Sequence, residues 1–102
     1  MNQGTTRQVK ALMSHTLKPG IPYRKKRLNR LLRMLDDIFE HEPYLGERLE
    51  SLGRNHMIGY WRRTEHESQA VRKEKYQVLL SFVEYANLNI RVPIPKDVKR
   101  NL

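Results

Sequence analysis

YRKKRLNRLLRMLDDIFEH, residues 23–41, is the stretch whose reading sets the fold class. Its apolar residues Leu28, Leu31, Leu32, Leu35, Ile38 and Phe39 recur at i, i+3, i+4 and i+7, the single stripe of an α-helix with one buried face. Leu, Arg, Lys and Met are all good helix formers and reinforce the pattern. Pro22 suits the first turn, where a missing amide hydrogen is no loss, and Pro43 stops the helix. The charges run against the helix dipole: Arg24, Lys25, Lys26 and Arg27 open the helix, and Asp36, Asp37 and Glu40 close it. Each exposed misplacement costs about a few tenths of a kcal/mol. Contact with phosphate is a physical reason to keep a basic helix start.

Downstream, Tyr44, Leu45, Leu49 and Leu52 form a short turn or helix that covers the core, with Gly46 and Gly53 as breaks. Asn55 is placed to cap a further helix whose buried edge is Met57, Ile58 and Trp61. Gly59 in its interior suggests close approach by a neighbouring helix. Arg62, Arg63 and His66 fall at or just past its end. Ser68 caps the last long helix, with the stripe Val71, Tyr76 or Val78, Leu79, Phe82, Val83 and Ala86.

Upstream, residues 5–17 carry Val9, Leu12, Met13 and Leu17 on one helical stripe, ended by Pro19, Gly20 and Pro22. Thirteen residues are marginal as an isolated helix, so this segment reads either as a packed helix or as an arm that orders on a partner. After Asn87 and Leu88 the helical pattern stops. Ile90-Arg91-Val92-Pro93-Ile94-Pro95 reads as an extended arm, because a residue before proline is pushed out of the helical region, and Lys96 to Leu102 as a loose basic tail. The expectation is an all-α chain of four to five helices in one domain: a short helix or arm over 1–20, a helical core over 21–88, and an extended basic arm or linker over 89–102.

With 20 Lys and Arg against 11 Asp and Glu, the 102 residues carry a formal charge of +9. Its distribution is uneven. Residues 1–35 hold nine basic side chains and no acidic one, residues 36–51 hold six acidic against Arg48, and the remainder is basic again, ten to five. A polarised surface of this kind attracts polyanions, nucleic acid first among them, with the acidic stretch as the solvated face turned away. The bland alternative is a chain that is basic for solubility.

Much chemistry is excluded. There is no Cys, hence no disulfide and no thiolate metal site, which suits a reducing cytoplasm. His15, His41, His56 and His66 show no metal-binding spacing, and no triad or glycine-rich phosphate loop is present. No apolar run approaches a membrane span and the amino terminus lacks a secretion signal. The expectation is a cytoplasmic, non-enzymatic protein with no cofactor, no metal, no small-molecule substrate and no membrane partner.

Taken together, Tyr23 to Phe39, then LGRNHMIGYW at 52–61, then Glu67-Ser68-Gln69-Ala70-Val71-Arg72 through LLSFVEYA at 79–86, resemble the amino-terminal core-binding domain of phage integrases, the tyrosine recombinases. The resemblance covers residues 23–88. It rests on an aliphatic-x-x-Tyr helix, a Ser cap and a helix ending in Phe-x-x-Tyr-Ala. It implies a small orthogonal, SAM-like helical bundle that clamps recombination-site DNA while a separate domain cuts it. Two features depart from the family. Val71 stands where a Thr commonly follows the Ser cap, and the catalytic domain with its Arg, His and Tyr residues has no counterpart in these residues, so the chain is either part of a larger recombinase or a free-standing protein.

On the clamp reading, phosphate contacts come from Arg24, Lys25 and Arg27, from Arg62 and Arg63, and from Arg72, Lys73 and Lys75. Gln69 and Arg72 are the candidates for reading bases in the major groove. Trp61 belongs to the packing, and Tyr60 either to the core or its edge or to a contact with sugar or the DNA backbone. A second reading is a regulatory module that docks on a recombinase or another DNA-bound partner; it predicts an exposed apolar patch from Val9, Leu12 and Met13 or from the 90–94 arm. A third, RNA binding, lacks the aromatic sheet or glycine loop of common RNA modules.

Overall fold

The computed structural model describes residues 1–14, 24–96 and 98. Among them are four α-helices, α1 (Gln3–Met13), α2 (Arg24–His41), α3 (Arg54–Arg63) and α4 (Gln69–Tyr85), with single turns of 3-10 helix at Pro43–Leu45 and Leu49–Ser51 and no strand. The protein is all-α, a small helical bundle. The expected turn at Pro19, Gly20 and Pro22, the helix positions of Leu17 and Tyr23, the side chain of Arg24, and positions 97 and 99–102 of the tail lie outside the described residues.

α2 is the central element and packs on α1, α3 and α4. Its stripe explains this: Leu31, Met34, Leu35 and Ile38 are fully buried and Phe39 nearly so, while Leu28 and Leu32 pack at the margin. Full burial of such a side chain stabilises the fold by about 1.5–3 kcal/mol.

α1 is a packed helix and not a free arm. Val9 is fully buried and Met13 nearly so, and Leu12 packs against the same core. Asn2 caps it by accepting from the Thr5 amide at 2.8 Å. The acidic stretch that follows the α2 stripe serves here as a tether: the Asp36 carboxylate takes the terminal ammonium of Met1, and Glu47 takes the Asn2 amide at 2.7 Å. That corrects the reading of residues 36–51 as only a solvated face. It also removes Val9, Leu12 and Met13 as an exposed patch.

Between α2 and α3, Leu45, Leu49 and Leu52 close the core as their spacing predicts. Gly46 ends the first 3-10 turn at φ 58°, and a Cβ there would stand 2.7 Å from Arg48 Nη1, so the position favours glycine. α3 starts two residues earlier than a cap at Asn55 implies. Gly53 is the N-cap, and the Gly53 amide donates to His56 Nδ1 at 2.8 Å, the role Glu or Gln plays three residues into many helices. Among the described residues Gly59 faces no neighbouring helix closely; an added Cβ would meet Arg63 Nη1 at 3.2 Å.

Ser68 caps α4 as expected, accepting from the Val71 amide at 3.3 Å. Val78, Leu79, Phe82 and Val83 form its buried face. α4 ends on Asn87 at φ 54°, with the Leu88 amide donating to the Val83 carbonyl at 3.0 Å and the Asn87 amide to Glu84 at 3.1 Å. This is the left-handed helix stop, with Asn in the position glycine usually takes. The following arm is docked: Val92, Pro93 and Pro95 are buried, and the Trp61 indole donates to the Pro93 carbonyl at 2.8 Å.

Candidate nucleic-acid interface

The first half of α2 and the start of α4 leave a cleft of about 590 Å³ lined by Lys26, Asn29, Arg30, Arg33, Glu67, Val71 and Lys75. Lys26, Arg30 and Arg33 recur at i, i+4 and i+7, which places them in one row beside the buried stripe. Arg30 Nη1 pairs with Glu74 at 2.5 Å across the cleft. Lys75 Nζ lies 2.8 Å from both Glu67 oxygens and donates to the Tyr60 hydroxyl at 2.6 Å. Four cations thus meet two carboxylates. The two carboxylates hold the inner cations, Arg30 and Lys75, while Lys26 and Arg33 stand exposed at the mouth.

Burial pushes the Tyr60 phenol above its ordinary value of 10.0, against the opposing pull of the Lys75 hydrogen bond. The phenol therefore gives up its proton less readily than a free tyrosine and stays a neutral, structural group.

The residues nominated from sequence divide into two sets. Lys25, Arg27, Gln69 and Lys73 are exposed. Arg72 is 3% exposed and does not reach out from α4: its Nη2 donates to the Trp61 carbonyl at 3.1 Å and its Nη1 to Thr64 at 3.4 Å. The reason is positional, since four residues beyond the Ser68 cap is the inward face of α4, where the last carbonyls of α3 need donors. Lys75 is 9% exposed for the same reason, one turn further on. Arg63 turns back onto Asp37, with Nε and Nη2 at 2.8 and 2.6 Å from one carboxylate oxygen. Its neighbour Arg62 is exposed on a different flank of α3, beside Pro93, Ile94 and Lys96 of the arm. Arg72 is thereby corrected as a base reader, and Arg63, Arg72 and Lys75 as free phosphate contacts. Lys26, Arg30 and Arg33, which line the cleft, carry an i, i+4, i+7 spacing that is visible in the sequence.

Among the described residues no group of three His, Asp or Glu is placed to hold a metal ion, and no helix is long and apolar enough to cross a membrane. The chain matches no known protein family, no curated protein and no solved structure.

Proposed function

We propose that this chain binds duplex DNA through the α2–α4 cleft, as a non-catalytic clamp of the kind found in the core-binding domains of tyrosine recombinases, in the cytoplasm. The observation that carries the reading is the row Lys26, Arg30 and Arg33 facing the start of α4, with Lys25, Arg27 and Lys73 exposed around it. A duplex backbone is a periodic polyanion, and a row of cations at one-turn spacing on a rigid helix neutralises it without ordering a loop. Glu67 and Glu74 anchor Lys75 and Arg30, which support the wall of the cleft, and leave Lys26 and Arg33 for phosphate. Gln69, exposed in the first turn of α4, is the remaining candidate for a base edge. Cutting and joining of strands belong on this reading to a separate catalytic domain.

Fluorescence anisotropy with a labelled duplex at several salt concentrations tests the proposal. The expected result is binding whose logarithm falls linearly with the logarithm of salt, by about 0.9 for each phosphate neutralised. Binding without a salt slope overturns it, and tighter binding to structured RNA of equal length moves the reading to RNA. A second reading, a module that docks on another protein, is favoured by a separate groove on the far flank of α4.

A further inference from the structure

We infer that the groove between α4 and the 88–96 arm is a docking site for an extended segment of a partner protein that carries acidic residues beside apolar ones. The groove has a volume of about 730 Å³. Tyr76, Leu80 and Val83 form its α4 wall, and Ile90, Val92 and Ile94 its arm wall. At 3.6 residues per turn, positions 76, 80 and 83 lie on the flank of α4 opposite to positions 71 and 75, so this site is separate from the cleft proposed for DNA.

Three observations select the occupant. Leu80 is 42% exposed beside the half-buried Tyr76, Ile90 and Ile94, so an apolar side chain has a floor to cover. Arg54 and Arg91, both exposed, are the charged residues in the lining, with no carboxylate among them, and on the other side of the arm Arg62 and Lys96 outnumber the one exposed carboxylate, Glu65. That charge pattern complements acidic side chains and opposes a second copy of a chain carrying +9. Finally, the amides of Ile90, Arg91, Val92 and Ile94 have no hydrogen-bond partner among the described residues. Residues before proline are held extended, as Val92 and Ile94 are, so the arm offers backbone donors to an extended partner, which would set its alternate side chains into the groove. Tyr76 is the single aromatic in the lining, too few for the stacking that single-stranded nucleic acid requires.

Selection from a displayed library of nine-residue peptides, apolar at alternate positions and random elsewhere, tests the proposal. It is run on the wild-type chain and on Leu80→Glu, an exposed change whose folding is checked by thermal melting. The expected result is enrichment of Asp and Glu at the random positions, with the best peptide losing at least tenfold in affinity on Leu80→Glu and on Arg91→Glu, while duplex binding is unchanged in both. Amide shift changes should fall on Leu80, Val83 and residues 90–94. Equal enrichment on Leu80→Glu, selection of basic peptides, shift changes at the α2–α4 cleft, displacement of the peptide by oligo(dT), or a dimer in sedimentation that Leu80→Glu abolishes would each overturn it.

Discussion

The Arg72 guanidinium lies 5.8 Å from the centre of the Trp61 ring and donates to the Trp61 carbonyl at 3.1 Å, so one side chain from α4 closes the carboxy-terminal end of α3. A cation there meets the negative end of the helix dipole, on carbonyls that it shares with the Thr64 and Glu67 amides. Trp61 in turn holds Pro93, and α4, α3 and the arm are joined through a single run of contacts.

Replacing Arg72 by Met keeps the apolar stem and removes the donors. The expected loss is about 1.5–3 kcal/mol of folding stability, because two carbonyls lose a charged donor and keep only the Thr64 and Glu67 amides. Arg72→Lys should recover less than half of it, since an ammonium does not reach two carbonyls and the ring face with one planar fork. Urea unfolding followed by Trp fluorescence and far-ultraviolet dichroism measures both; a loss below 1 kcal/mol for Arg72→Met contradicts the capping role.

Trp61→Phe keeps an aromatic ring in the core but gives up part of its volume and leaves the Pro93 carbonyl without the indole donor. About 1–3 kcal/mol of stability should go with it. The effect should concentrate in the arm: trypsin should cut after Arg91 several times faster in the variant than in the wild type, with the helices still resistant. Mass spectrometry of timed digests reads this directly, and equal cleavage rates would show that the arm is held by Val92 and Pro95 alone.

The raised pKa of Tyr60 contributes to the alkaline behaviour. Its value in the unfolded chain is about 10.0, and burial holds the folded value above that. The folded state then keeps a proton that the unfolded state has lost, so stability is intact below pH 10 and falls as pH rises from there through the folded pKa. Tyrosinate absorbance should show at least one phenol titrating late and together with unfolding, and Tyr60→Phe should remove that late step.

The all-α class was legible because Leu28, Leu31, Leu35, Ile38 and Phe39 keep a helical period over about three turns, and a period survives any detail of packing. The Ser68 cap was legible because it is local. The site was legible only in part. Arg72 and Lys75 look like surface cations in a linear reading, since their charge argues for exposure; what buries them is the carbonyl end of α3 and the Glu67 carboxylate, partners set by tertiary packing. The split of Arg62 from Arg63 has the same origin, because adjacent residues on a helix point 100° apart and only the position of Asp37 decides which of the two is captured. The docking of the arm depended on one indole donor reaching one carbonyl 32 residues away, a contact with no periodic signature.

The division of cations makes the DNA proposal sharp at the level of single residues. Lys26→Gln and Arg33→Gln remove exposed charges from the mouth of the cleft, so each should lower the salt slope by about one and leave thermal stability nearly unchanged. Arg63→Gln removes a charge already neutralised by Asp37; it should lower stability by about 1 kcal/mol while the salt slope stays as in the wild type. Anisotropy titrations at four salt concentrations, paired with melting curves, separate the two classes. Should Arg63→Gln reduce the slope as Lys26→Gln does, the contact surface would have to extend over the end of α3, and the α2–α4 cleft would not be the centre of binding.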